Sequence, residues 1–95
     1  MSTAPAISRM AKITAYHGLH MRPAMEFTLL CRSHSGNIAI RKFGLGNSSA
    51  SADAKSIVEV LLLCVGPNET VVLESDSETA APVLDKACRF LENIP

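Results

Sequence analysis

Apolar residues change their spacing several times along this chain, and that alternation limits its fold more than any other feature. A spacing of two marks a half-buried strand, and steps of three and four mark a helix packed on one side. Ser8 to Ala15 mixes Met10, Ala11 and Ile13 with polar residues and reads as a strand, which Tyr16-His17-Gly18 breaks. Met21 to Ser35 reads as a helix. Pro23 falls in its first turn, where a missing N–H costs little. Ala24, Phe27, Cys31 and His34 form its inward stripe, and Gly36 stands where a left-handed C-cap is wanted. Asn37 to Phe43 alternates as a strand does. Gly44-Leu45-Gly46-Asn47 is turn chemistry, which lets Ser48 to Asp53 return as a second, edge-like strand.

Ser56 to Cys64 is ambiguous. Ile57, Val58 and Val60 suit a strand, yet Ile57, Val60, Leu61 and Cys64 have helical spacing. Ser56 followed by Glu59 is a capping box, with the hydroxyl on the third N–H and the carboxylate on the Ser N–H. The reading adopted is a short helix. Gly66-Pro67-Asn68 turns the chain, and Glu69 to Ser75 is a strand built on Val71, Val72 and Leu73. A last helix runs to about Leu91 with Ala80, Leu84, Ala87, Cys88 and Leu91 as its apolar stripe. Thr79 as N-cap places Pro82 harmlessly in the first turn, whereas Ser77 as N-cap makes Pro82 distort it. The order β-α-β-β-α-β-α gives a two-layer α+β sandwich with the helices on one face of an antiparallel sheet. Many unrelated binding domains share that order, so it names no function.

Composition narrows the classes. The 95 residues fit one domain, 1–95, with residues 1–6 a loose tail. Only four residues are aromatic, so the core is aliphatic. Nine basic residues balance nine acidic ones, which gives no electrostatic reason to expect nucleic acid or a membrane as partner. Three widely spaced cysteines, Cys31, Cys64 and Cys88, fit neither a disulfide framework nor a zinc site; they read as reduced, mostly buried thiols. No apolar run approaches a membrane span and the first residues lack a signal-peptide pattern, so the expected location is the cytoplasm. There is no Gly-rich nucleotide loop, no metal cluster and no second catalytic group of motif quality, which weakens a stand-alone enzyme. No metal or cofactor is expected.

The chemistry-bearing stretch is Gly18-Leu19-His20-Met21-Arg22-Pro23-Ala24. His20 stands where loop becomes helix. There the first N–H groups lack intrahelical partners and the helix dipole presents positive charge, a ready anion site. Pro23 has no N–H, so the useful donors are those of Met21 and Arg22. The Arg22 guanidinium can fork onto phosphate oxygens, and Gly18 lets the chain turn tightly and keeps the imidazole accessible. A neutral imidazole nitrogen is a nucleophile near physiological pH, and its phosphoramidate is labile, so a phosphoryl group can arrive and leave. Taken alone, so short a motif more often marks a histidine that merely caps a helix, with a solvated arginine beside it.

In its setting, Gly-Leu-His-Met-Arg-Pro-Ala resembles the Gly-Leu-His-x-Arg-Pro-Ala phosphorylation motif of the HPr family, the histidine phosphocarriers of the bacterial phosphoenolpyruvate-dependent phosphotransferase system. Ala54-Lys55-Ser56-Ile57 is similar to that family's second motif, and Thr70-Val71-Val72 fits its last strand. The resemblance runs from about Ser8 to the C-terminus. It implies an open-faced β-sandwich, with a four-stranded antiparallel sheet covered on one face by three helices. It implies phosphorylation of His20 at Nδ1 by phospho-enzyme I and transfer to a sugar-specific or regulatory acceptor of the enzyme IIA type. Arg22 would coordinate the phosphate, and Met21 and His17 would complete its cradle. Docking would use Met21, Met25, Leu29, Arg32, Ile57 and Val58; Leu61 suits core filling equally well. The chain would then be a stoichiometric carrier in sugar uptake and not an enzyme. The alternative is a regulatory HPr-like module that binds a transcription factor or a kinase in carbon or nitrogen control.

Several positions depart from the pattern. The family usually carries Asn where this chain has His17; a second imidazole there could hydrogen-bond the phosphate, help hold charge or do nothing, and a passive loop histidine is its plainest reading. His34 reads as a helix residue without a catalytic part. Ser56 would be the target of a regulatory serine kinase in some lineages, but Glu59 would repel a phosphate there, which favours a plain N-cap. The hairpin at residues 44–49 is longer than the family norm, and Cys64 stands where a helix-ending Gly is common.

Overall fold

The computed structural model of the protein describes residues 5–44 and 51–95. Its elements are β1 (Ile7–Lys12), α1 (Met21–Cys31), β2 (Ala39–Lys42), β3 (Ser51–Asp53), α2 (Ile57–Leu62), β4 (Thr70–Ser75), a 3-10 turn (Glu78–Ala80) and α3 (Ala81–Glu92). The order is the one the periodicities predict. The strands form one sheet in the order β1-β4-β2-β3, antiparallel at every pairing. Leu73 of β4 lies opposite Arg9 of β1 and Ile40 of β2, and Ile40 in turn lies opposite Ala52 of β3. This is an open-faced α+β sandwich.

Ala11, Ile40, Ala52, Val71 and Leu73 point from the sheet into the core, where Phe27 of α1 and Leu84 and Leu91 of α3 meet them. Each of these large side chains stabilises the fold by about 1.5–3 kcal/mol relative to exposure. The alternation of β1 ends as a strand at Lys12, but Ile13 and Ala15 stay fully buried. Ile13 exchanges backbone hydrogen bonds with Asn68 and Glu69, which carries the inward pattern past the strand. At the other end of the layer, the Arg9 guanidinium donates to Asp85 at 2.8 Å, tying β1 to α3.

Helix limits differ from the sequence reading in informative ways. α1 ends at Cys31, four residues before Ser35. Ser33 and His34 form bonds back to Leu30 and Cys31, a tightened last turn, and the Ser33 hydroxyl donates to the Leu30 carbonyl. Gly36 is therefore no C-cap. Its φ is not positive, and what it supplies is space, since a Cβ there would lie 2.8 Å from His34 Nε2. His34 is half-buried, with that nitrogen unpartnered. Ser77 accepts from the Thr79 N–H at 3.3 Å and caps the 3-10 turn, and α3 begins only at Ala81 with Pro82 next. The distortion expected from a Ser77 cap is that single tighter turn. All five residues of the α3 stripe are buried.

Burial pushes the Cys31 thiol up to about 12 and the Cys88 thiol up to about 11, so both stay protonated at neutral pH. Cys64 is exposed. It ends α2 in the left-handed region with φ of 53°, the conformation that Gly adopts most cheaply. The turn read at 44–47 and the start of the strand read from Ser48 lie mostly outside the described residues, as does the long hairpin at 44–49. Of the tail at 1–6, only Pro5 and Ala6 are described, and both are exposed.

Candidate functional site

The site begins with a turn that only glycine can make. Gly18 donates its N–H to the Ala15 carbonyl at 3.0 Å and has φ of +69°. It is backed so closely by the segment before β4 that a Cβ would lie 2.5 Å from the Val65 carbonyl oxygen and 2.8 Å from Gly66 Cα. Leu19 follows, buried in the core, with its N–H on the same Val65 carbonyl at 2.9 Å. Gly18 and Leu19 thus pin the backbone, and the next side chain, His20, is turned out to solvent.

His20 is the N-cap of α1, in extended backbone, and its side chain makes no capping bond. His20 thus occupies the cap position while its imidazole stays unengaged by the helix backbone. Its carbonyl accepts the Ala24 N–H at 2.9 Å, the first bond of the helix. Pro23 contributes no N–H, so the Met21 and Arg22 amides are the donors left open at this end. No acidic residue occupies the first turn to neutralise the dipole.

Arg22 is exposed and has no ion pair or hydrogen bond among the described residues. Arg22 lines a cleft of about 430 Å³ with His20, Pro23, Glu26, Phe90, Ile94 and Pro95. Sequence reasoning passed over two features of that cleft. Glu26 is one, and its place one turn after Arg22 was a readable signal. Phe90 and Ile94 come from α3 and the segment after it, and no local pattern connects them with His20. The His17 ring lies edge to face with the His20 ring, centroids 5.7 Å apart and planes at 88°. Tyr16 stacks edgewise on His17 at 4.9 Å.

The residues expected to dock partners divide. Met21, Met25 and Leu29, spaced by four along α1, are each half or more exposed, and Val58 of α2 joins them. Ile57 is half-buried, and so is Leu61, whose packing against the core favours its filling role. Leu62, not singled out from the sequence, is 74% exposed and extends the apolar surface. Arg32 is exposed and donates through Nε to the Lys55 carbonyl at 3.0 Å, linking the end of α1 to the approach of α2.

Ser56 is half-buried at the N-cap of α2 and accepts the Glu59 N–H at 3.3 Å. The capping box is only half formed. The Glu59 carboxylate takes the Asp53 N–H at 3.0 Å, and the Ser56 N–H goes to the Asp53 carbonyl. β3 ends so close to α2 that its own backbone fills the role expected of Glu59. Among the described residues, no three His, Cys, Asp or Glu side chains gather as a metal site. No described helix is long and apolar enough to cross a membrane.

A family model described as the PTS HPr component phosphorylation site matches residues 7–93. The chain belongs to the PTS HPr family. The phosphocarrier protein HPr of Cupriavidus necator is 30% identical over 76 residues, covering 80% of each chain. The HPr of Buchnera aphidicola is 26% identical over 83 residues, covering 87% of this chain and 92% of that one. Among solved structures, HPr from Bacillus anthracis superposes with a TM-score of 0.77 at 21% identity, covering 90% of this chain and 95% of its own, which speaks for the fold alone. An HPr from Thermoanaerobacter tengcongensis has a TM-score of 0.70 at 25% identity over 94% of this chain and 98% of its own. This HPr-family chain is thus a phosphocarrier of the phosphotransferase system at the level the family defines.

Proposed function

We propose that this HPr-family protein carries its phosphoryl group on His20, receives it from phospho-enzyme I and passes it to an acceptor of the enzyme IIA type or a regulatory counterpart. The observation that carries this reading is the helix start at His20: an exposed imidazole with no capping bond, beside amides and a guanidinium that have no partner among the described residues. A neutral ring nitrogen, Nδ1 by resemblance to the family, attacks phosphorus. The bond between phosphorus and the donor breaks as the new P–N bond forms, so the group changes owner without release of phosphate. Met21 and Arg22 supply N–H donors, and the Arg22 side chain takes the charge that spreads over the equatorial oxygens in transit. The same exposure lets a second protein reach the phosphorus from the far side.

Met21, Met25, Leu29 and Val58, with Ile57 and Arg32 at their margin, would form the docking face in the cytoplasm. Soft methionines beside the reacting group suit a surface that must meet a donor and an acceptor in turn. Ser56 is read as a structural cap and not as a kinase target, because its hydroxyl is engaged and the Glu59 carboxylate stands beside it. The protein acts stoichiometrically and is regenerated by its donor.

Phosphoenolpyruvate plus enzyme I should add one acid-labile phosphate by intact mass, and His20→Ala should abolish it. An acid-stable label that persists in His20→Ala would contradict the reading.

A further inference from the structure

Two imidazoles meet at this site where carriage on one nitrogen needs only one. Neither His17 nor His20 makes a side-chain hydrogen bond or ion pair among the described residues. The His17 ring nonetheless packs edgewise with two neighbours, Tyr16 at 4.9 Å and His20 at 5.7 Å between centroids. The backbone beneath is fixed by the bonds from Gly18 to Ala15 and from Leu19 to Val65. With the two ring centroids 5.7 Å apart, a group attached to the edge of the His20 ring comes within reach of the His17 N–H.

We propose that His17 is a second cationic contact for the phosphoryl group on His20, so that a proton on His17 favours the phosphorylated form and makes the phosphorylation equilibrium depend on pH. The inference rests on the carrier reading above. A phosphoryl group carries between one and two negative charges near neutrality, and a protonated imidazole beside it is held there by that charge. The His17 ring takes its proton from solvent and donates the N–H to a phosphoryl oxygen. By linkage, a proton that favours the phosphate is itself favoured by the phosphate. An imidazole is the side chain suited to this because it changes charge between about pH 5 and 8.

Tyr16 and His20 are the ionisable groups in ring contact with His17. The neighbouring elements carry further ones: Lys12 at the end of β1, Arg22 and Glu26 on α1, Cys64 in the segment whose Val65 and Gly66 back onto Gly18, and Glu92 at the end of α3, where its carbonyl takes the Thr14 hydroxyl. They are common to the protein and its position-17 variants, so a ratio between the two removes their contribution.

The test equilibrates the protein, His17→Asn and His17→Lys with enzyme I at a fixed phosphoenolpyruvate to pyruvate ratio, and reads the phosphorylated fraction by intact mass from pH 6.0 to 8.5. The equilibrium constant of the native protein divided by that of His17→Asn should be about three- to fivefold at pH 6.0, the scale of an exposed ion pair, and close to one at pH 8.5. His17→Lys, cationic throughout, should keep its advantage over His17→Asn at both ends. A ratio flat with pH, or a lysine variant no better than asparagine, overturns the proposal and leaves the carrier reading standing. Failure of the folded native protein and of both variants to accept any phosphate overturns both.

Discussion

Two helices of this protein start in opposite ways. At α2 the N-cap Ser56 spends its hydroxyl on the Glu59 N–H and its own N–H on Asp53, and the Glu59 carboxylate returns to the Asp53 N–H. At α1, among the described residues, the N-cap His20 bonds nothing through its side chain and leaves two amides without partners, with Arg22 unpaired beside them. The first start is closed and contributes stability. The second is left open, and its cost is met by Leu19 and Gly18, which fix the backbone from below. A helix N-terminus is an anion site only where its own residues leave donors over.

The contrast predicts that changes at the open start damage transfer, while changes at the closed start damage stability. The largest effect on transfer short of removing His20 is expected from Arg22→Ala, which should slow phosphoryl transfer by about a hundredfold with the urea midpoint unchanged. Arg22→Lys should recover part of it, because charge returns without the fork. Rapid-quench transfer from enzyme I measures both. Gly18→Ala should damage both properties. It forces a side chain into a left-handed residue and against the Val65 carbonyl, at a cost of about 2–3 kcal/mol, readable as a lower urea midpoint together with slower transfer.

Ser56→Ala is the converse case. Losing this cap should cost about 1 kcal/mol and leave the transfer rate within twofold of the native protein; a large loss of transfer would erase the distinction between the two starts. The smallest effect is a gain. Cys64 holds a left-handed φ of 53° at the end of α2, so Cys64→Gly should stabilise the protein by about 0.5–1 kcal/mol, again without effect on transfer.

Much of this was legible in the sequence because local chemistry decides it. The element order follows from period changes, and the open start of α1 follows from His20, Arg22 and Pro23 standing in that order. The Ser56 cap and the stripe of α3 were readable for the same reason. What escaped depended on contacts between distant segments. Glu59 forms the expected pair with the Ser56 hydroxyl through its N–H, but its carboxylate goes to β3, which no pattern within residues 56–59 reveals. Gly36 looked like a cap because glycine usually ends helices with a positive φ, whereas here it makes room for the His34 ring. Phe90 and Ile94 reach the His20 cleft only through the packing of α3 beside α1. His17 was visible as an odd residue, but its ring contact with His20 needed the turn at Gly18 to be built.

The most direct measurement is an amide proton–nitrogen spectrum of the protein before and after phosphorylation, with phosphorus NMR to place the group. The account predicts a phosphohistidine at position 20, with the largest amide shifts at His20, Met21 and Arg22 and almost none from Ser56 to Glu59. Phosphate on any other residue, or shifts centred on the start of α2, would contradict it.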